Sequence, residues 1–143
     1  MRIRTLISTA VVGLVAFATL AATPASAGTY KGCPYPNVCF YKSKTTNWDV
    51  NKPSAKYKDI TTTWQRLTRS KGSYAAWNTR NDDIAFFHFT NGKTWCLTPN
   101  TGLIFNSWVV DAILIESAST CPGLAARSTA DDAAVGAPMV LTS

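Results

Sequence analysis

Ser73 to Leu97 reads SYAAWNTRNDDIAFFHFTNGKTWCL, and this stretch decides the fold. It contains three strand-like runs separated by two turns. Tyr74 to Trp77 is short and aromatic, which favours an extended backbone packed on a neighbouring surface. Asn78 to Asp83 is made of turn-forming and charged residues. From Ile84 to Thr90 the side chains alternate, placing Ala85, Phe87 and Phe89 on one face and Phe86, His88 and Thr90 on the other. Asn91-Gly92 then predicts a hairpin through a type I′ turn, because both central residues of that turn need positive φ. Lys93 to Leu97 is the returning strand and carries Cys96 into the fold.

On the amino-terminal side, Arg2 and Arg4 precede an uncharged run from Thr5 to Ala22, and Ala25-Ser26-Ala27 offers the small residues of a cleavage site. The pattern predicts a secretory signal peptide over residues 1–27, with an extracellular product. A membrane span is the poorer reading, since Ser8, Thr9, Gly13 and Thr19 interrupt the run. Cleavage after Ala27 leaves 116 residues with 12 basic and 8 acidic side chains. Such a chain is long enough for one domain with a modest core. The mild positive charge implies weak attraction to anionic wall polymers. A nucleic-acid partner is not expected, for no dense basic stripe or recognisable binding motif occurs.

The four cysteines are Cys33, Cys39, Cys96 and Cys121. An even number in an exported chain predicts two disulfides. Three pairings are possible, and the favoured one joins Cys33 to Cys39 around Pro34 and Pro36, and Cys96 to Cys121 across the central hairpin and the last strand. The second loop contributes about 3–4 kcal/mol by chain entropy. No C-x-x-C spacing occurs, so zinc is not expected.

Elsewhere, Val38 to Lys42 reads as a strand, and Tyr57 to Leu67, rich in threonine and aromatics, favours strand over helix. Thr98 to Gly102 is a loop, followed by strands at Leu103 to Phe105 and Trp108 to Glu116. In the last of these, Val109, Ile113 and Ile115 share one face with Asp111 as an outlier, and apolar residues on both faces predict a central position. Cys121-Pro122-Gly123 ends a β domain spanning 28–123. The Ala-, Ser- and Thr-rich residues 124–143 lack periodicity and predict a disordered tail.

One segment carries a family likeness. Cys33-Pro34, five residues between the cysteines, Val38 before the second and Phe40-Tyr41 after it resemble the amino-terminal signature of small secreted actinobacterial proteins related to the Streptomyces metalloproteinase inhibitor. The central hairpin is similar more loosely, over Phe86 to Cys96. The resemblance implies an all-β, βγ-crystallin-like Greek-key sandwich, here with about seven strands and two disulfides. It also implies an inhibitory loop formed by Cys96, Leu97, Thr98, Pro99 and Asn100, with Leu97 entering the apolar pocket of a thermolysin-like protease. Lys58-Asp59-Ile60-Thr61-Thr62-Thr63 loosely echoes the calcium motif of that fold. Lys58, however, stands where an oxygen ligand belongs, so no metal is expected.

Catalytic readings are thin. His88 is the only histidine, and no G-x-S-x-G or similar nucleophile setting accompanies it. Asp82-Asp83 follows Asn78 and Asn81 and is explained by turn chemistry. The expected function is therefore non-catalytic binding without a cofactor, first as an inhibitor of an extracellular metalloprotease. A rival is a carbohydrate or cell-wall module using exposed members of the set Trp48, Trp64, Trp77, Trp95 and Trp108, since indole rings stack on sugars. An antimicrobial or toxin-like role is the third.

Overall fold

The computed structural model describes residues 28–123 and 136–142. The expected signal peptide, residues 1–27, lies outside them, as do residues 124–135 and 143, which belong to the expected tail. The described chain is all-β, with one turn of π-helix at Lys44–Trp48. Its strands are β1 (Thr29–Tyr30), β2 (Cys33–Pro34), β3 (Val38–Tyr41), β4 (Ala55–Tyr57), β5 (Gln65–Arg66) and β6 (Ala75–Asn78). They continue as β7 (Ile84–Phe89), β8 (Thr94–Leu97), β9 (Thr101–Ile104), β10 (Val110–Glu116) and β11 (Met139–Thr142). They are shorter and more numerous than the sequence suggests, because a continuous stretch such as Tyr57 to Leu67 leaves one sheet at Tyr57 and joins the other at Gln65. Between those points the chain crosses an end of the sandwich, where Thr61 N–H donates to Ile115 O at 3.3 Å.

The central hairpin forms as expected, but its turn is different. His88 pairs with Thr94, Phe89 N–H donates to Lys93 O at 3.0 Å and Gly92 N–H donates to Phe89 O at 2.9 Å. Thr90, Asn91 and Gly92 therefore make a three-residue loop, and only Gly92, at φ 80°, takes positive φ. This is a tight turn closed by a left-handed glycine, not a type I′ pair. Asn91 serves through its side chain, its Oδ1 accepting from Lys93 N–H at 3.0 Å.

Two antiparallel sheets form the body. One has the order β5-β10-β7-β8 and the other β11-β9-β6-β3-β4. Their facing sides enclose Val38, Phe40, Phe87, Phe89, Leu97, Leu103, Phe105, Ile113 and Ile115, all at or below 1% exposure. The rings of Phe40, Phe87 and Phe105 meet edge-on or offset, with centroids 5.3–6.1 Å apart. Contacts of this geometry add about 0.5–1.5 kcal/mol each beyond burial.

The strand expected over Trp108 to Glu116 departs from its expected pattern. β10 is indeed interior to its sheet, but the pairing shifts between Val110 and Ala112, so Asp111 is the extra residue of a β-bulge. Val110 thereby joins Ile113 and Ile115 in the core, while Val109 is left 42% exposed. Strict alternation across the bulge assigns these two valines to the wrong faces.

A second, smaller core lies on the outer side of the five-stranded sheet. Cys33, Cys39, Tyr41, Trp48, Ala75 and Trp77 are buried there beneath the β1–β2 ribbon. Gly102 permits this packing, since a Cβ on it would overlap the Trp77 ring. Burial pushes the Tyr41 phenol well above its ordinary pKa, with a smaller contribution from Tyr30. Its hydroxyl donates to Lys31 O at 2.8 Å. Cys33–Cys39 and Cys96–Cys121 are the disulfides, as favoured from the sequence. Replacing Cys33 and Cys39 together by alanine is expected to cost about 2 kcal/mol from the short loop released. Equilibrium urea unfolding measures this cost as a lower midpoint, with a slope equal to or slightly above that of the parent because the unfolded chain is less constrained.

The tail expectation is corrected in part. Met139–Thr142 adds to the edge of the five-stranded sheet by pairing with β9, from Met139 opposite Ile104 to Thr142 opposite Thr101. Ser107 N–H and Oγ–H both reach Gly136 O, at 3.2 and 3.0 Å, and hold the strand's approach. The segment lacked periodicity because an edge strand with exposed Met139 and Val140 needs little alternation.

The connectivity also shows an internal repeat that the residues do not declare. In β3-β4-β5-β6 the first strand lies between the second and the fourth, and the third belongs to the opposite sheet. β7-β8-β9-β10 does the same in reverse, so β5 and β9 are exchanged between the halves.

Candidate functional site

The loop expected to carry inhibition is built differently from its expectation. Cys96 and Leu97 belong to β8, and Leu97 points between the sheets at 1% exposure. The expected insertion of Leu97 into a protease pocket is therefore corrected: alternation along β8 gives this side chain to the core. Thr98, Pro99 and Asn100 form the corner before β9, with Asn100 exposed at φ 55°. Thr101 Oγ–H donates to Thr98 O at 2.7 Å, and Asn100 N–H donates to Arg80 O at 3.2 Å.

That last bond joins the corner to the β6–β7 loop, which is organised by a buried guanidinium. Arg80 Nε donates to Asp83 Oδ2 at 2.6 Å, and Nη1 donates to Pro36 O at 2.8 Å and Lys58 O at 2.9 Å. Both side chains of the ion pair are 8% exposed. Asn78 completes the loop, accepting from Arg80 N–H at 3.0 Å and donating to Asp83 O at 2.9 Å. Asp83 is thus a buried partner of Arg80, while Asp82 is exposed in the turn.

Between this loop, the β8–β9 corner and the β1 strand lies a groove of about 260 Å³. Tyr30 and Trp77 form its aromatic wall, their rings stacked with centroids 3.8 Å apart. Tyr30 is the half-buried outer ring and Trp77 the buried inner one. Asn81 and Asn100 form the polar rim, joined by a 3.3 Å bond from Asn100 Nδ2 to Asn81 Oδ1. Asn81 Nδ2 and Asn100 Oδ1 have no hydrogen-bond partner among the described residues. Thr79 also lines the groove, but its hydroxyl is used within the protein, against Asn37 and Pro34. An apolar ring face beside free amide groups suits a ligand that is itself apolar on its flat side and hydroxylated around its edge.

No family model, curated protein or solved structure matches this chain.

A second cluster occupies the outer face of the four-stranded sheet. His88 Nδ1 lies 2.6 Å from Asp111 Oδ1, and Arg66 Nη1 donates to Asp111 Oδ2 at 3.3 Å. The β10 bulge aims Asp111 at the imidazole, and the Trp64 ring meets His88 edge-on at 5.7 Å. The arrangement orients His88 through one nitrogen. Among the described residues its Nε2 meets no serine, threonine or cysteine at hydrogen-bond distance, so a nucleophile–base pair is not formed there.

The tryptophans are distributed unlike a platform. Trp64 is 38% exposed, Trp48 and Trp77 are buried, and Trp95 and Trp108 are half-buried against the main core. Lys93 lies 5.0 Å from the Trp108 ring centroid. Sequence reasoning misses Tyr30, Asn81, and the Asp111 partner of His88. Tyr30 lies in a lead-in too short for periodicity, and only the bulge brings Asp111 to His88.

Proposed function

We propose that the chain is a secreted, non-catalytic binding protein whose groove between β1, the β6–β7 loop and the β8–β9 corner takes a cell-wall saccharide. The observation that carries this reading is the Tyr30–Trp77 stack bordered by Asn81 and Asn100. A sugar ring presents C–H groups on its flat face and hydroxyls around its edge. The first match an aromatic wall and the second match amides. The groove's size suits one or two sugar units at the end of a chain. Titration of the secreted chain with soluble wall-derived oligosaccharides, followed by calorimetry, tests the reading. Tyr30→Ala is expected to weaken binding roughly tenfold when measured well below the variant's own unfolding midpoint, since the ring also covers Trp77. Absence of binding to every wall saccharide tried would overturn it.

A peptidase-inhibitor reading keeps one observation in its favour. Thr98-Pro99-Asn100 is an accessible corner pinned by its contacts to Thr101 and Arg80 and preceded by a disulfide. A pinned loop loses little entropy on entering a cleft. Stoichiometric inhibition of a thermolysin-like protease, abolished by Pro99→Asp and untouched by Tyr30→Ala, would establish it over the saccharide.

A further inference from the structure

The side chains that line the groove bring it no formal charge. Thr29, Tyr30, Trp77, Thr79, Asn81 and Asn100 line it, and none carries a carboxylate, ammonium or guanidinium group. The remaining lining residue is Gly28. Having no side chain, Gly28 can contribute only its backbone. Gly28 is also the first residue after the small-residue cleavage site Ala25-Ser26-Ala27.

We infer that processing at Ala27 places the new α-ammonium of Gly28 at the groove, and that the groove therefore selects saccharides bearing a carboxylate. This rests on the saccharide reading above and narrows it to acidic sugars. An α-amino group titrates near pH 8, so at about neutral pH it is mostly charged. Before cleavage the same nitrogen is a neutral amide continuous with residues 1–27, and the site has no net charge of its own. Processing thus completes the binding site. The geometry of the wall sets the pose: a ring stacked on Tyr30 with its hydroxyls toward Asn81 and Asn100 turns another edge toward Gly28. A ring-borne carboxylate on that edge would accept from the ammonium. Because Gly28 is exposed, the attraction acts through water and is modest, about five- to tenfold in affinity at low salt, and it falls as salt is raised.

The test uses the secreted chain, with mass spectrometry of its amino terminus, and two probes of equal length and linkage, a glucuronic acid oligomer and a glucose oligomer. Half the sample is acylated at the α-amine at about pH 6.5, where lysines remain protonated. The expected result is a chain beginning at Gly28 that prefers the acidic oligomer about five- to tenfold, with the preference lost on acylation and affinity for the neutral oligomer unchanged. Equal affinity for both oligomers would overturn the inference and leave the saccharide reading standing. So would an acidic preference that survives acylation, or a mature terminus elsewhere than Gly28. Binding of neither oligomer by either form would overturn the inference, and the saccharide reading would fall with it only if the wall-derived oligosaccharides also went unbound.

Discussion

Arg80→Ala is expected to destabilise the domain by about 3–5 kcal/mol, the largest effect of any single polar substitution described here. The guanidinium donates to Asp83 and to the carbonyls of Pro36 and Lys58, so its removal leaves a carboxylate that is 8% exposed with no counter-ion and two carbonyls with no donor. The cost comes from stranding Asp83, since a buried charge without its partner keeps its desolvation penalty. Two companions separate this from simple loss of packing. Arg80→Lys is expected to recover only part of the loss, because an ammonium on a shorter chain cannot reproduce a planar fork spanning three acceptors. Arg80→Met combined with Asp83→Leu is expected to cost clearly less than the sum of the single changes, because neither charge is then left alone. Equilibrium unfolding in urea measures all three. Additive losses would show that the pair is not the source.

Leu97→Ala is expected to cost about 2–5 kcal/mol, as for other fully buried leucines. Leu97 sits at 1% exposure between the sheets, opposite Ala85 on β7. The residue expected from family likeness to engage a protease is a core residue in this structure. The substitution should therefore lower the unfolding midpoint sharply. Any ligand binding measured well below that midpoint should be unchanged. A loss of binding without a loss of stability would return Leu97 to the surface and overturn this account.

Much of the body can be read from residues alone. The alternation of Ala85, Phe87 and Phe89 against Phe86 and His88 identifies β7 and its buried face, and Asn91-Gly92 locates the hairpin turn. Residues alone leave three disulfide pairings open, and the favoured one is the pairing found. Two of the errors share a physical origin, for each occurs where one residue departs from a regular repeat. A bulge at Asp111 exchanges the faces of Val109 and Val110, and a three-residue loop replaces a two-residue turn at Thr90 to Gly92. Neither leaves a local pattern. The groove is harder still, because Tyr30, the Trp77–Asn81 stretch and Asn100 come from three separate parts of the chain. Only the assembled sheets bring them together. Arg80 and Asp83 are spaced three apart within a turn, a spacing equally compatible with solvated charges, and their burial depends on Pro36 and Lys58 closing over them.

The exchange of β5 and β9 between the sheets has a consequence for how the chain can be divided. A cut in the β6–β7 loop would give one fragment holding β3, β4 and β6 with a homeless β5, and another holding β7, β8 and β10 with a homeless β9. Each fragment would own an empty slot shaped for the other's spare strand, β9 beside β6 and β5 beside β10. Neither would enclose the aromatic core, because Phe40 lies on one and Phe87 and Phe105 on the other. The halves are reciprocal lodgers, so folding is concluded only when both are present and each occupies the other.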